Sequence, residues 1–286
     1  MTVPFGVISV FVGLAIWACL AVHAVLRRKY LPVLLFGILL MLYLNAGYVI
    51  YGPAASIANF VGIYDVLINL GLSDPASAAA VSTCPNNSCS AWGETFTNHP
   101  AWGVAFYDRF ANGPETRSAL LLGHVVCNTI VFVLMHVQMF FPGGQARNHA
   151  LIGRVCFGIL TIGVGCSVVL AAQHGSVGEY GGALSTWGFV SMSMFVYTTA
   201  VLGVLAIRRQ DATQHRIWMW RFVGSMWGSF WLFRVMLFVI DPLFRDIEAL
   251  AIQICIWGSA PAGILIAEMV RRRVDAKNAI QPIVAE

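Results

Sequence analysis

The chain has 286 residues, 58% of them apolar and only 10% charged, with a net charge of +4 and a mean hydropathy of +0.76. Soluble domains carry about 25% charged residues, so this composition excludes a soluble globular class. The basic residues are spread over several short segments, so no basic face for a nucleic acid is formed.

Only helices and closed barrels satisfy their backbone in lipid. The apolar runs here are continuous, about 20 residues each, the length of a membrane-crossing helix. They do not alternate with period two as barrel strands do. The sequence therefore predicts an all-α polytopic membrane protein, a seven-transmembrane helix bundle in contact with the lipid bilayer.

The first span runs from about Val3 to Leu26 and is followed by Arg27, Arg28 and Lys29. Its apolar core is too long for a signal peptide and its basic residues follow it, so it reads as a retained helix. The second span covers about Leu31 to Ile50, the third Arg117 to Phe141, and the fourth His149 to Ala172. The fifth covers about Ala183 to Ile207, the sixth His215 to Ile240, and the seventh Ile247 to Val270. In domain terms these are two N-terminal helices (1–52), a polar loop (53–116), a four-helix core (117–241), a seventh helix (242–270) and a tail (271–286).

Basic residues collect in alternate gaps: Arg27, Arg28 and Lys29; Arg147; Arg208, Arg209 and Arg216; and Arg271, Arg272, Arg273 and Lys277. The remaining short gaps hold Glu179, and Asp241, Asp246 and Glu248 around Arg245. The positive-inside rule then puts the N-terminus outside and the C-terminus in the cytoplasm, with the plasma membrane as the expected location. The loop from Pro53 to Glu115 lies outside. Cys84 and Cys89 flank a proline turn there and are expected to form a disulfide. Asn86-Asn87-Ser88 fits a glycosylation sequon. Trp92, His99, Trp102, Phe106, Tyr107 and Phe110 read as an interfacial belt or a lid.

Ionisable residues within a bilayer are costly and mark function. His124 and Arg234 both fall about two turns below the outer surface on the helical rise. Asn128 shares a face with His124, and Asp241 can share one with Arg234. These four make an outer cluster. An inner cluster comprises Gln138, His149, Arg154, His215 and Arg221: two histidines open helices, with an arginine behind each. Helix N-termini favour anions, so this cluster could bind an anion or, through its imidazoles, a metal or haem edge. As metal or haem ligands the candidates are His124, His149 and His215. The spacing of His124 and His136 leaves them about 120° apart around one helix, which does not support a two-haem ladder. His136 alone reads as a hydrogen-bonded core residue.

The pattern extends beyond depth. His124 and Gln138 are followed by His149-Ala150-Leu151-Ile152-Gly153-Arg154, then by His215-Arg216-Ile217-Trp218-Met219-Trp220-Arg221, then by Arg234. This resembles the predicted membrane-protein family called domain of unknown function 2306. Its members show a His in an early helix, a His-Arg-x-x-Gly-Arg element and a His-Arg-x-Trp-Met-x-Arg element. The last is matched at every defined position, whereas Ala150 stands where the second usually has Arg. The resemblance covers about Arg117 to Asp241. It implies a four-helix core in which His124, His149, Arg154, His215, Arg221 and Arg234 belong to one constellation, and it implies no particular reaction.

Three functions follow as expectations. The first is a transmembrane redox protein holding haem b or a quinone and meeting a redox partner. The second is a transporter or binding protein for an anionic or amphiphilic small molecule. The third is a non-enzymatic, receptor-like or structural heptahelical protein. Hydrolase and phosphate-loop motifs are absent from the sequence, and the seventh span carries no lysine for a retinal Schiff base.

Overall fold

The computed structural model describes residues 5–53, 56, 115–140, 146–172, 183–236 and 248–280. The described residues are helical: α1 (Phe5–Arg27), α2 (Leu31–Ile50), α3 (Glu115–Phe140), α4 (Ala146–Ala172), α5 (Ala183–Arg208), α6 (Ala212–Trp227) and α7 (Glu248–Ile280). A π turn, Gly228–Leu232, continues α6 directly. Five helices are long and apolar enough to cross a membrane: α2, α3, α4, α5 and α7. In α1 the corresponding apolar stretch is the shorter Val12–Arg27. The chain divides into two compact units, Met1–Gly182 and Ala183–Glu286.

In the first unit, α2 opens with Pro32 in its first turn, where the missing N–H costs nothing. Polar contacts tie neighbouring helices together. The hydroxyls of Ser9 and Tyr43 lie 2.8 Å apart and join α1 to α2. Asn45 is buried and donates to Thr129 Oγ1 at 2.7 Å, joining α2 to α3. Thr129 also donates to the carbonyl of Val125. Lipid supplies no hydrophobic drive for helix association, so close packing and hydrogen bonds of this kind carry it. Small residues let α3 and α4 approach. Gly123 faces Cys166 Sγ, and Gly163 faces Cys127 and Asn128.

In the second unit a short link sets the topology. α5 ends with Gln210 N–H bonded to Ile207 O and Asp211 N–H bonded to Ala206 O, while Gln210 takes a left-handed φ of 60°. That is a Schellman termination. Asp211 then caps α6, its carboxylate accepting from Gln214 N–H at 2.8 Å. α5 and α6 therefore run antiparallel, with His215 level with Gly203 and Thr199 level with Ser225. α7 runs parallel to α5, as Gln253 donates to Ser185 at 2.6 Å. It runs antiparallel to α6. Glycines bring these last two into backbone contact: a Cβ on Gly228 would lie 2.2 Å from the Ser259 carbonyl oxygen, and one on Gly224 would lie 2.5 Å from that of Gly263. The π turn and Pro261 stand near this crossing, so both helices depart from regular α hydrogen bonding there.

Candidate anion site at the charged end of the second unit

The antiparallel register of α6 and α7 brings the start of α6 beside the end of α7. The side chains that meet there are charged. Arg221 Nε lies 3.5 Å from Glu268 Oε2. Arg271 forks onto Glu268, with Nε to Oε2 at 3.1 Å and Nη2 to Oε1 at 2.6 Å. Arg272 Nε reaches the same carboxylate at 3.0 Å. One turn further on, Asp275 accepts from Arg271 Nη1 at 2.7 Å and from Arg216 Nη2 on α6. Glu268 and Arg271 are mostly buried, whereas Arg216 is 55% exposed. Charge-assisted contacts of this geometry are about twice as strong as neutral ones.

Beside this ladder lies a groove of about 280 Å³ lined by Ala212, Thr213, Arg216, Ile217, Arg271 and Asp275. Ala212 and Thr213 belong to the first turn of α6, where N–H groups have no intrahelical acceptor. Two guanidinium groups and a helix start thus border one open space. In this cluster four arginines (Arg216, Arg221, Arg271, Arg272) meet two carboxylates (Glu268, Asp275). Asp211, whose carboxylate caps α6 beside Ala212 and Thr213, is a third acid here, so one positive charge is left over, and Arg208, Arg209 and Arg273 at the same end of the unit are exposed.

No family model, curated protein or solved structure matches this chain. The site must be read from its own residues.

Each defined position of the His215–Arg221 element ties α6 to its neighbours or to itself. His215 Nδ1 lies 2.9 Å from the Gly203 carbonyl on α5. Arg216 and Arg221 face the carboxylates of α7. The Arg221 guanidinium lies 4.5 Å above the Trp218 ring. Met219 fills the space beside Gly203, where a Cβ would meet its Cε at 2.1 Å. Arg234, beyond the π turn, donates to Phe230 O at 3.0 Å and stacks on the Phe230 ring at 4.0 Å.

The other expected site residues among the described ones lie in the first unit. His124 Nδ1 is 2.8 Å from Asn128 Nδ2, one helical turn away, and 3.4 Å from the Gly163 carbonyl. Gln138 donates to the His149 carbonyl at 2.7 Å, which joins α3 to the first turn of α4. The side chains of His149 and Arg154 are exposed. His136 is buried, its Nδ1 2.6 Å from the Phe132 carbonyl. Asp241, the Cys84–Cys89 pair, the Asn86 sequon and the aromatic loop segment lie outside the described residues. Among the described residues no group of three or more His, Cys, Asp or Glu side chains gathers closely enough to hold a metal ion.

Arg216, Glu268, Arg271, Arg272 and Asp275 are the site residues that the sequence alone does not place in a cluster. A signal was present. Glu268 stands three and four residues before Arg271 and Arg272, and Asp275 four after Arg271, the spacings at which helical side chains meet.

Proposed function

We propose that the chain is an integral membrane protein with seven crossing helices, N-terminus outside and C-terminus cytoplasmic, that binds an anionic, amphiphilic small molecule at its cytoplasmic interface. α1 and α6 supply the two crossings beyond the five long apolar helices. α6 with its π continuation reaches Met236 and is about 37 Å long at 1.5 Å per residue, enough to cross the hydrocarbon. The positive-inside bias sets the orientation. The observation that carries the function is the groove in which Arg216 and Arg271 flank the start of α6, two guanidinium groups against the single lining carboxylate of Asp275. An anion there would be held by charge-assisted bonds from the two guanidinium groups while its apolar part lies in the bilayer. The resemblance to domain of unknown function 2306 enters the same reading, since the His215–Arg221 element builds this end.

A fluorescence titration tests it. Trp218 lies under Arg221 in the same cluster. Protein in zwitterionic nanodiscs should give a saturable tryptophan signal with dioctanoyl phosphatidate and none with dioctanoyl phosphatidylcholine, and Arg216→Gln should weaken the response at least fivefold. Equal responses to the two lipids would end the proposal. A haem or quinone has no comparable observation behind it: His215 is the lone histidine in the sequence of the second unit. A Soret band in purified protein would reopen that reading.

A further inference from the structure

We infer that the groove takes a phosphate monoester and that Asp275 is a tethered competitor for it, a carboxylate that holds Arg216 and Arg271 until the ligand displaces it. The inference rests on the anion reading above and adds the ligand class and a means of regulation.

The geometry begins with Asp275 itself. Its two oxygens bridge two guanidinium groups on different helices, Oδ1 taking Arg216 and Oδ2 taking Arg271 Nη1. A phosphate group bridges arginines in the same way, with more oxygens and more charge. The groove borders this bridge, and its volume of about 280 Å³ is several times the roughly 30 Å³ of one water, so a phosphate group can enter without the helices parting.

The two carboxylates of the cluster are not equivalent. Glu268 receives the bidentate edge of Arg271 together with Arg272, lies near Arg221, and is 14% exposed. Asp275 receives one nitrogen from each of two arginines and is 32% exposed. Asp275 is therefore the group that gives way. Because Glu268 grips Nε and Nη2, Arg271 keeps its orientation when Asp275 leaves, and Nη1 stays aimed at the groove. The phosphate then replaces the Asp275 bridge between α6 and α7, so the tie between the helices persists in the loaded form. The charge balance points the same way. With Glu268, Asp275 and Asp211 in place the four arginines leave one positive charge, and withdrawal of Asp275 from its bridge frees the second that a phosphate monoester dianion needs.

Competition of this kind scales the apparent affinity by the fraction of molecules whose arginines are free. If Asp275 holds them about nine-tenths of the time, removing its charge tightens binding about tenfold. The test uses full-length protein in zwitterionic nanodiscs, titrated by calorimetry with inorganic phosphate in one arm and dioctanoyl phosphatidate in the other. Asp275→Asn should bind at least tenfold more tightly than wild type. Gln210→Lys adds the same unit of charge at the same end on an exposed side chain outside the groove lining, so it should shift affinity by less than about twofold. Tightening in both arms identifies a soluble phosphate as sufficient. Tightening with phosphatidate alone identifies a lipid headgroup as the source.

Equal affinities for wild type and Asp275→Asn, or an equal gain in Gln210→Lys, overturn the competitor role while leaving the anion site standing. No binding by any variant in either arm overturns the anion site as well. Wild type provides a check that needs no substitution. Saturating phosphatidate should raise carbodiimide labelling of Asp275, as read by peptide mapping, and unchanged or reduced labelling overturns the inference.

Discussion

Gly228→Ala is the sharpest test of how the second unit is packed. The added Cβ would sit 2.2 Å from the Ser259 carbonyl oxygen and 3.0 Å from Ala260 Cα. Real Cβ atoms do not approach closer than 3.0 Å, so α6 and α7 must part by about 0.8 Å. The obstacle is backbone, which cannot rotate away as a side-chain tip can. Overpacking of this kind costs about 1–3 kcal/mol. For a chain of this size that lowers Tm by roughly 2–5 °C. Gly258→Ala is the matched control. It lies on α7 one residue from the contact, and nothing stands within 4 Å of its Cβ position. There the better helix propensity of alanine should leave Tm unchanged or slightly raised. Differential scanning fluorimetry of the two variants in one detergent measures the difference. Equal Tm values would refute the close crossing.

Glu268→Gln removes the charge that faces Arg271 and Arg221, and should cost about 2–4 kcal/mol because these partly buried guanidinium groups lose their counter-charge; chemical denaturation in mixed micelles reads it. In the first unit, Thr129→Val should destabilise more than Asn45→Leu, since the former strands a buried amide whereas the latter leaves Thr129 bonded to Val125. The same thermal assay should rank them in that order, and the reverse order would contradict the pairing. Gln210→Gly should stabilise by about 1 kcal/mol, because glycine takes the left-handed φ of 60° without strain; no gain in Tm would count against that termination.

The helical class was legible in the sequence because hydropathy reports it directly. The Asp211 cap is likewise a local signal, an acid just before a helix. The His124–Asn128 contact could be placed from one helix alone, since it depends only on spacing. The charged ladder was harder to see. Arg221 stands with the helix-opening histidines on depth alone and Arg216 reads only as a loop charge and a motif position, but their partners Glu268 and Asp275 sit on α7, far along the chain. Depth bookkeeping assigned Arg271 and Arg272 to a tail, although α7 runs unbroken to Ile280 and keeps both in the cluster. The tight crossing was hidden for a related reason. Gly224, Gly228 and Gly263 are conspicuous only once the two helices are in register. Gln138 and His149 were grouped by depth, and it is the His149 backbone carbonyl that Gln138 meets. No side-chain pattern announces a contact of that kind.

The claim that arginines of the α6–α7 groove hold a phosphate-bearing anion can be put to one direct measurement. Native mass spectrometry of protein released from nanodiscs containing equal phosphatidate and phosphatidylcholine counts the lipids that stay bound. Wild type should retain phosphatidate selectively, and Arg216→Gln, whose side chain is exposed and whose charge pairs with Asp275, should lose that selectivity while Arg27→Gln on α1 keeps it. Retention of the two lipids in equal amounts by wild type, or undiminished selectivity in Arg216→Gln, would contradict the account.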